Sequence, residues 1–151
     1  MMRHLRHIAA ILTMTTAIAA ATTEGWTTNF EAAQIQAKKE KKALLVDFTG
    51  SDWCPPCKKL HQEVFSKPSF IKEAQKNFIL VELDFPRKVK ISHDLKKQNE
   101  SLAKKYKVRG FPTVLLMDAN GKVFKTASYQ AGGVTPYLEM IHRSLKAKKF
   151  R

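Results

Sequence analysis

Two cysteines occur in the 151-residue chain, Cys54 and Cys57, within the segment Asp52-Trp53-Cys54-Pro55-Pro56-Cys57-Lys58-Lys59. Their spacing serves thiol–disulfide exchange or metal binding. A bridge over two intervening residues restricts the unfolded chain little, so the pair suits chemistry better than stapling. Disulfide exchange needs a thiolate as the attacking species. A compact apolar run, Ala43–Phe48, precedes the pair and a helical segment from Pro55 follows it. Cys54 is therefore placed at a helix N-terminus, where unpaired N–H groups and the helix dipole favour an anion. Proline is well tolerated as the first helical residue, but Pro55 and Pro56 together remove two N–H donors. The Cys57 N–H is left as the expected backbone donor to the Cys54 sulfur, with Lys58 and Lys59 adding positive charge. Cys54 is expected to be the nucleophile. Cys57, one turn further in and less exposed, is the resolving thiol.

Metal chemistry is the competing use of the same residues. His61 follows Cys57 by four positions and so shares its helix face. Cys54, Cys57 and His61 could ligate Cu(I) or zinc, which would make the chain a metal chaperone, but a fourth ligand is missing nearby. No metal is expected. Covalent haem is disfavoured, because the residue after the second cysteine is Lys58 rather than histidine.

The elements that must hold this site follow from the hydrophobic pattern. Phe30–Lys42 has a loose helical rhythm, and Ala43–Phe48 has the composition of a strand buried on both faces. Helices are predicted from Pro55 to about Phe65 and over Lys67–Asn77, followed by a strand at Phe78–Asp84 that Pro86 stops. Arg87–Asp94 is a basic, irregular connection. Leu95–Tyr106 is predicted helical, with Leu95, Leu102 and Tyr106 on its buried side. Thr113–Met117 and Lys122–Ser128 form a hairpin around Asn120-Gly121. A last helix runs from Thr135 to about Lys146, with Tyr137, Met140, Ile141 and Leu145 on one face. The order α-β-α-β-α-β-β-α implies an α/β fold, a central mixed sheet with helices on both faces.

Length, 44% hydrophobic and 26% charged content fit one globular domain. The first residues differ in kind. Arg3, His4, Arg6 and His7 precede an apolar stretch, Ile8–Ala20, that ends in small residues. Residues 1–21 are predicted to be a signal peptide, and 22–151 the domain. The stretch of about 13 apolar residues is short of the ~20 that a spanning helix needs. The net charge of +14 comes from lysines in polar, helix-like stretches without interleaved aromatics. It predicts a solvated basic surface that favours acidic partners, and no nucleic-acid target.

Ala43-Leu44-Leu45-Val46-Asp47-Phe48, Trp53-Cys54-Pro55-Pro56-Cys57-Lys58 and Lys105-Tyr106-Lys107-Val108-Arg109-Gly110-Phe111-Pro112-Thr113-Val114 resemble the three signature stretches of thioredoxin-like proteins. The resemblance covers essentially the whole chain after the first residues. Among exported members it is similar to the DsbH-type periplasmic disulfide reductases. It implies the thioredoxin fold and a redox-active Cys54–Cys57 disulfide. It also implies a cis-proline at Pro112, which with Phe111 and Thr113 shapes a substrate groove beside the cysteines, and Trp53 packs beside the thiols or touches substrate. Asp47 matches a buried aspartate that helps proton transfer to the resolving thiol. Two departures weigh on Asp47: the loop to Cys54 is one residue longer than usual, and Leu80 replaces the lysine that normally neighbours the acid.

Within the family, oxidases carry a helical insertion for which 87–100 is too short, and isomerases need a separate dimerisation region. The remaining expectation is a periplasmic, monomeric reductase of disulfides in exported proteins, without a cofactor, with oxidase or isomerase as alternatives. A membrane thiol electron donor of DsbD type would recharge it.

Overall fold

All seven residues of β1 (Ala43–Thr49) are buried, because this strand runs through the middle of the sheet and is covered on both faces. The structure is a computed structural model that describes residues 23–149. The predicted signal peptide, 1–21, lies outside the described residues. Among them, no helix is long and apolar enough to cross a membrane.

Helix α1 (Phe30–Glu40) starts where Asn29 accepts the Ala32 N–H at 2.9 Å, and ends at Lys41, which takes the left-handed conformation. After β1 the chain forms α2 (Pro55–Leu60), which widens into a π-helical turn over His61–Phe65. Then follow α3 (Pro68–Ala74), β2 (Phe78–Asp84), α4 (His93–Lys105), β3 (Thr113–Met117), β4 (Val123–Ala127) and α5 (Val134–Lys149). The strand order is β2-β1-β3-β4, with β1 and β2 parallel and the other neighbours antiparallel. Asp118 shapes the β3–β4 turn, its Oδ1 accepting the Asn120 and Lys122 N–H groups at 2.9 Å each. The first described residues also join the sheet: Thr27 bridges to Val81 outside β2, donating to the Leu80 carbonyl and accepting from the Glu82 N–H.

Alternation along the strands sorts their side chains into two cores. Leu44, Val46 and Phe48 of β1 pack with Phe30, Ala33 and Ala37 of α1, backed by Leu102 and Ala103 of α4. Leu45 faces the other way, into the core built by Leu60, Phe65, Phe70, Tyr137 and Ile141. Asp47 and Thr49 share the parity of Leu45 and so point beneath α2.

Three local expectations are corrected. The helix from Pro55 leaves regular α geometry at His61; the wider turn lets successive side chains, Val64 and Phe65, both enter the core. The helix expected from Leu95 begins at His93, because the Ser92 hydroxyl caps it through the Leu95 N–H at 3.2 Å. Its one fully buried residue is Asn99, while Leu95, Leu102 and Tyr106 are half-buried. Asn99 is inside because its Nδ2 donates to the Asp84 carbonyl at 2.9 Å, and its Oδ1 accepts from Gln98.

Candidate active site

The chain turns sharply between β1 and α2, with the Gly50 carbonyl accepting the Trp53 and Cys54 N–H groups at 3.3 and 2.9 Å. A side chain at Gly50 would meet the Trp53 ring at 2.6 Å, so the indole lies directly on bare backbone. Cys54 then caps α2. Its backbone is extended, and its sulfur accepts the Cys57 N–H at 3.3 Å. Pro55 and Pro56 offer no N–H, so this bond provides the first helical turn's backbone donor to the sulfur. Cys54 and Cys57 are joined in a disulfide. They are nearly equal in exposure, at 3% and 2%, rather than exposed and sheltered. Pro55 and Pro56, between them, are exposed.

An aromatic group forms around Trp53, the residue before Cys54. The Trp53 indole N–H donates to the Phe85 carbonyl at 2.8 Å, and its ring meets Phe111 edge-on at 5.7 Å. Phe85 stacks obliquely on Phe111 at 5.1 Å, and the Arg87 guanidinium sits 3.8 Å from the Trp53 ring centre. The Phe111–Pro112 peptide is cis, and the buried Pro112 accepts the Ser128 hydroxyl on its carbonyl at 2.9 Å. Thr113 opens β3 opposite Phe48, its hydroxyl donating to the Gly110 carbonyl at 2.6 Å. Asp52 was not singled out from sequence, yet it anchors this corner. Its carboxylate accepts the N–H groups of Arg87, Lys88 and Val89 at 3.0, 2.6 and 3.2 Å. These backbone donors, Arg87 first, hold its pKa below the usual range.

Behind the disulfide lies a cleft of about 390 Å³ whose walls include Cys57, Lys58, His61, Asp47, Glu82 and Asp84. Asp47 is 5% exposed and its Oδ1 has no hydrogen-bond partner. Burial, then the charges of Glu82 and Asp84, push its carboxyl well above the ordinary range. Glu82 is pushed up to about 7, mainly by burial and then by Asp84, against a Thr23 hydroxyl donated at 3.4 Å. Asp84 is turned toward the loop, accepting the Ser51 N–H at 2.9 Å and hydroxyl at 2.6 Å. Partial burial lowers the pKa of His61. No group of three or more His, Cys, Asp or Glu among the described residues is placed to hold a metal ion.

The neighbour of Asp47 differs from expectation. The β1–β2 register sets Leu80 opposite Leu45, and Glu82 opposite Asp47. Asp47 thus has a second acid beside it. Sequence reading missed Glu82, though a signal was available: it lies two residues beyond Leu80 and so shares its face of β2.

Residues 30–139 match the thioredoxin-like domain family. The chain belongs to that family, and its fold is the thioredoxin fold. Disulfide bond reductase DsbH of Chlamydia pneumoniae is 33% identical over 137 residues, which cover 91% of this chain and 81% of that protein. The thioredoxin-related protein DsbJ of the same organism is 34% identical over 92 residues, 61% of this chain and 26% of DsbJ. A solved DsbH oxidoreductase structure superposes with a TM-score of 0.76 at 32% identity, covering 91% of this chain and 94% of that one. With its Cys54–Cys57 disulfide, the chain is a DsbH-like thiol–disulfide oxidoreductase.

Proposed function

We propose that the protein reduces disulfides of exported proteins in the periplasm. The observation that carries this reading is Cys54 capping α2, its sulfur bonded to the Cys57 N–H, above a cleft that holds Asp47. In the dithiol form the same N–H and the helix terminus favour a thiolate on Cys54. That thiolate attacks a substrate disulfide and releases one substrate sulfur. Cys57 then attacks the Cys54 sulfur, re-forming the bond and releasing the second. Asp47 takes the proton that Cys57 must lose, a task suited to a carboxyl whose pKa is raised. Trp53, Phe111, Pro112 and Thr113 border the approach to the sulfurs and receive an extended substrate segment.

The reducing direction is supported by the Chlamydia relative, a disulfide bond reductase. A reductase in an oxidising compartment needs recharging, and a membrane thiol donor of DsbD type would do it. The likeness to DsbH and DsbJ supports such a Dsb thiol-redox context. No cofactor is needed, since the two sulfurs carry both electrons. The test is insulin reduction by dithiothreitol, with the Cys54–Cys57 potential measured against glutathione. Catalysis by the natural chain, its loss in Cys54→Ser and a potential near the ~−270 mV of thioredoxin are expected. A potential near the ~−120 mV of DsbA would overturn the reducing direction.

A further inference from the structure

Asp47 and Glu82 are nearest neighbours across the parallel β1–β2 ladder, and both line the cleft that Cys57 closes from above. Their surroundings differ. Asp47 is sealed, with one oxygen lacking any partner, whereas Glu82 is half-buried and touches the Thr23 hydroxyl. Two carboxylates side by side in a poorly solvated cleft disfavour double ionisation, so the charge settles on the better solvated member. That member is Glu82.

We propose that Glu82 is a positioning residue: its charge beside Asp47 keeps the Asp47 carboxyl protonated, so that a proton is in place for Cys57 when the Cys54–Cys57 bond is opened. This rests on the reading of the pair as an exchange centre. In the step concerned, a thiolate of a reducing dithiol attacks the Cys54 sulfur. A bond forms between donor sulfur and Cys54, and the Cys54–Cys57 bond breaks with its electron pair going to Cys57. Cys57 takes the Asp47 proton, leaving in the dithiol form a carboxylate that takes the proton back when Cys57 later closes the bond again. The second donor thiol, losing its own proton to solvent, then displaces the Cys54 thiolate, and the donor leaves as a disulfide. The donor has lost two electrons and the protein has gained them.

The other groups facing these carboxyls are Asp84 of β2, Lys58 and His61 from the helix above, and Tyr137 of α5, whose hydroxyl feels the Asp47 charge. Asp84 is occupied by Ser51, and Glu82 is the register partner of Asp47. The direction of the effect on Asp47 agrees with this arrangement.

The experiment follows the reduction of the oxidised full chain by dithiothreitol, read by tryptophan fluorescence, from pH 5 to 8.5. Natural chain and Glu82→Gln are compared at each pH, so the reagent's own ionisation cancels in the ratio of rates. Near pH 5, where Asp47 holds its proton with or without the neighbour, the ratio is expected to be close to one. Above pH 7, Glu82→Gln is expected to fall behind by on the order of tenfold, as Asp47 loses its proton. Thr23→Val leaves Glu82 in place and removes its hydroxyl donor, so the onset of the Glu82 effect should move to higher pH. A ratio that stays flat across the range in folded Glu82→Gln overturns the proposal. Should that variant not fold, a Thr23→Val profile superposing on that of the natural chain overturns it instead. Insulin turnover stands apart: its absence in the natural chain would defeat the function proposed above, whatever Glu82 does.

Discussion

Replacing Glu82 by Gln should make the oxidised protein more stable at alkaline pH and leave it unchanged in acid. Glu82 sits on the face of β2 that points beneath α2, and burial lifts its pKa from 4.5 to about 7. The folded chain therefore holds a proton that the unfolded chain has already released between those values. Stability is greatest below about pH 4.5 and falls as pH rises through about 7, because the unfolded state binds fewer protons. At about 1.4 kcal/mol per pH unit, the full span costs about 3.5 kcal/mol. Residual contact with solvent at this half-buried group trims that to about 2 kcal/mol. Glutamine keeps the shape and an oxygen for the Thr23 hydroxyl but never ionises. Urea unfolding of both oxidised proteins from pH 4 to 9 measures the difference. Curves that coincide near pH 4 and separate by about 2 kcal/mol above pH 8 are expected. Parallel curves over the whole range would refute the account, because they would mean that Glu82 ionises in the fold as freely as in the unfolded chain.

Two further outcomes follow from the corner before α2. Gly50→Ala drives a methyl group into the Trp53 ring, which its Cβ would meet at 2.6 Å. It should lower stability by about 1–3 kcal/mol and shift the Trp53 emission, measured by thermal unfolding and fluorescence. Asp52→Ala removes the acceptor for three successive backbone donors, so amide exchange at Arg87, Lys88 and Val89 should accelerate while β1 stays protected. Acidification should act in the same way on the natural chain. The Asp52 pKa is depressed, so its support is present above the ordinary carboxylate pKa and lost as pH falls through the folded value.

Much of the fold was legible because its strands are of two readable kinds. Ala43–Phe48 is uniformly apolar apart from Asp47, as a central strand covered on both faces must be, and Asn120-Gly121 marks the β3–β4 hairpin plainly. The interior of α4 was hidden. A polar residue, Asn99, is buried for the sake of the Asp84 carbonyl, and no hydrophobic rhythm announces a hydrogen bond to a distant strand. The π-helical turn was invisible for a related reason, since one extra residue per turn in a single turn barely disturbs a 3.6-residue period. Around the sulfurs, the cysteines, prolines and following lysines stand adjacent in sequence and could be placed from their order alone. Glu82 and Asp52 could not. Each matters through a partner more than 30 residues away, Glu82 through the β1–β2 register and Asp52 through the loop after β2, and such pairings are fixed only once the sheet is assembled.

The sheet ends in two unlike margins, and each handles the risk of pairing with another chain in its own way. On the β2 side, Thr27 occupies the hydrogen-bonding groups of Leu80 and Glu82, so the protein's own backbone fills the place a foreign strand would take. On the β4 side no such cover is needed at length, for β4 has five residues and turns the exposed Lys125 and Thr126 outward. A stranger lining up there would find few rungs and a positive charge among them. An exchange centre that brings other chains' disulfides to its surface thus sits on a sheet whose margins offer those chains little backbone to pair with.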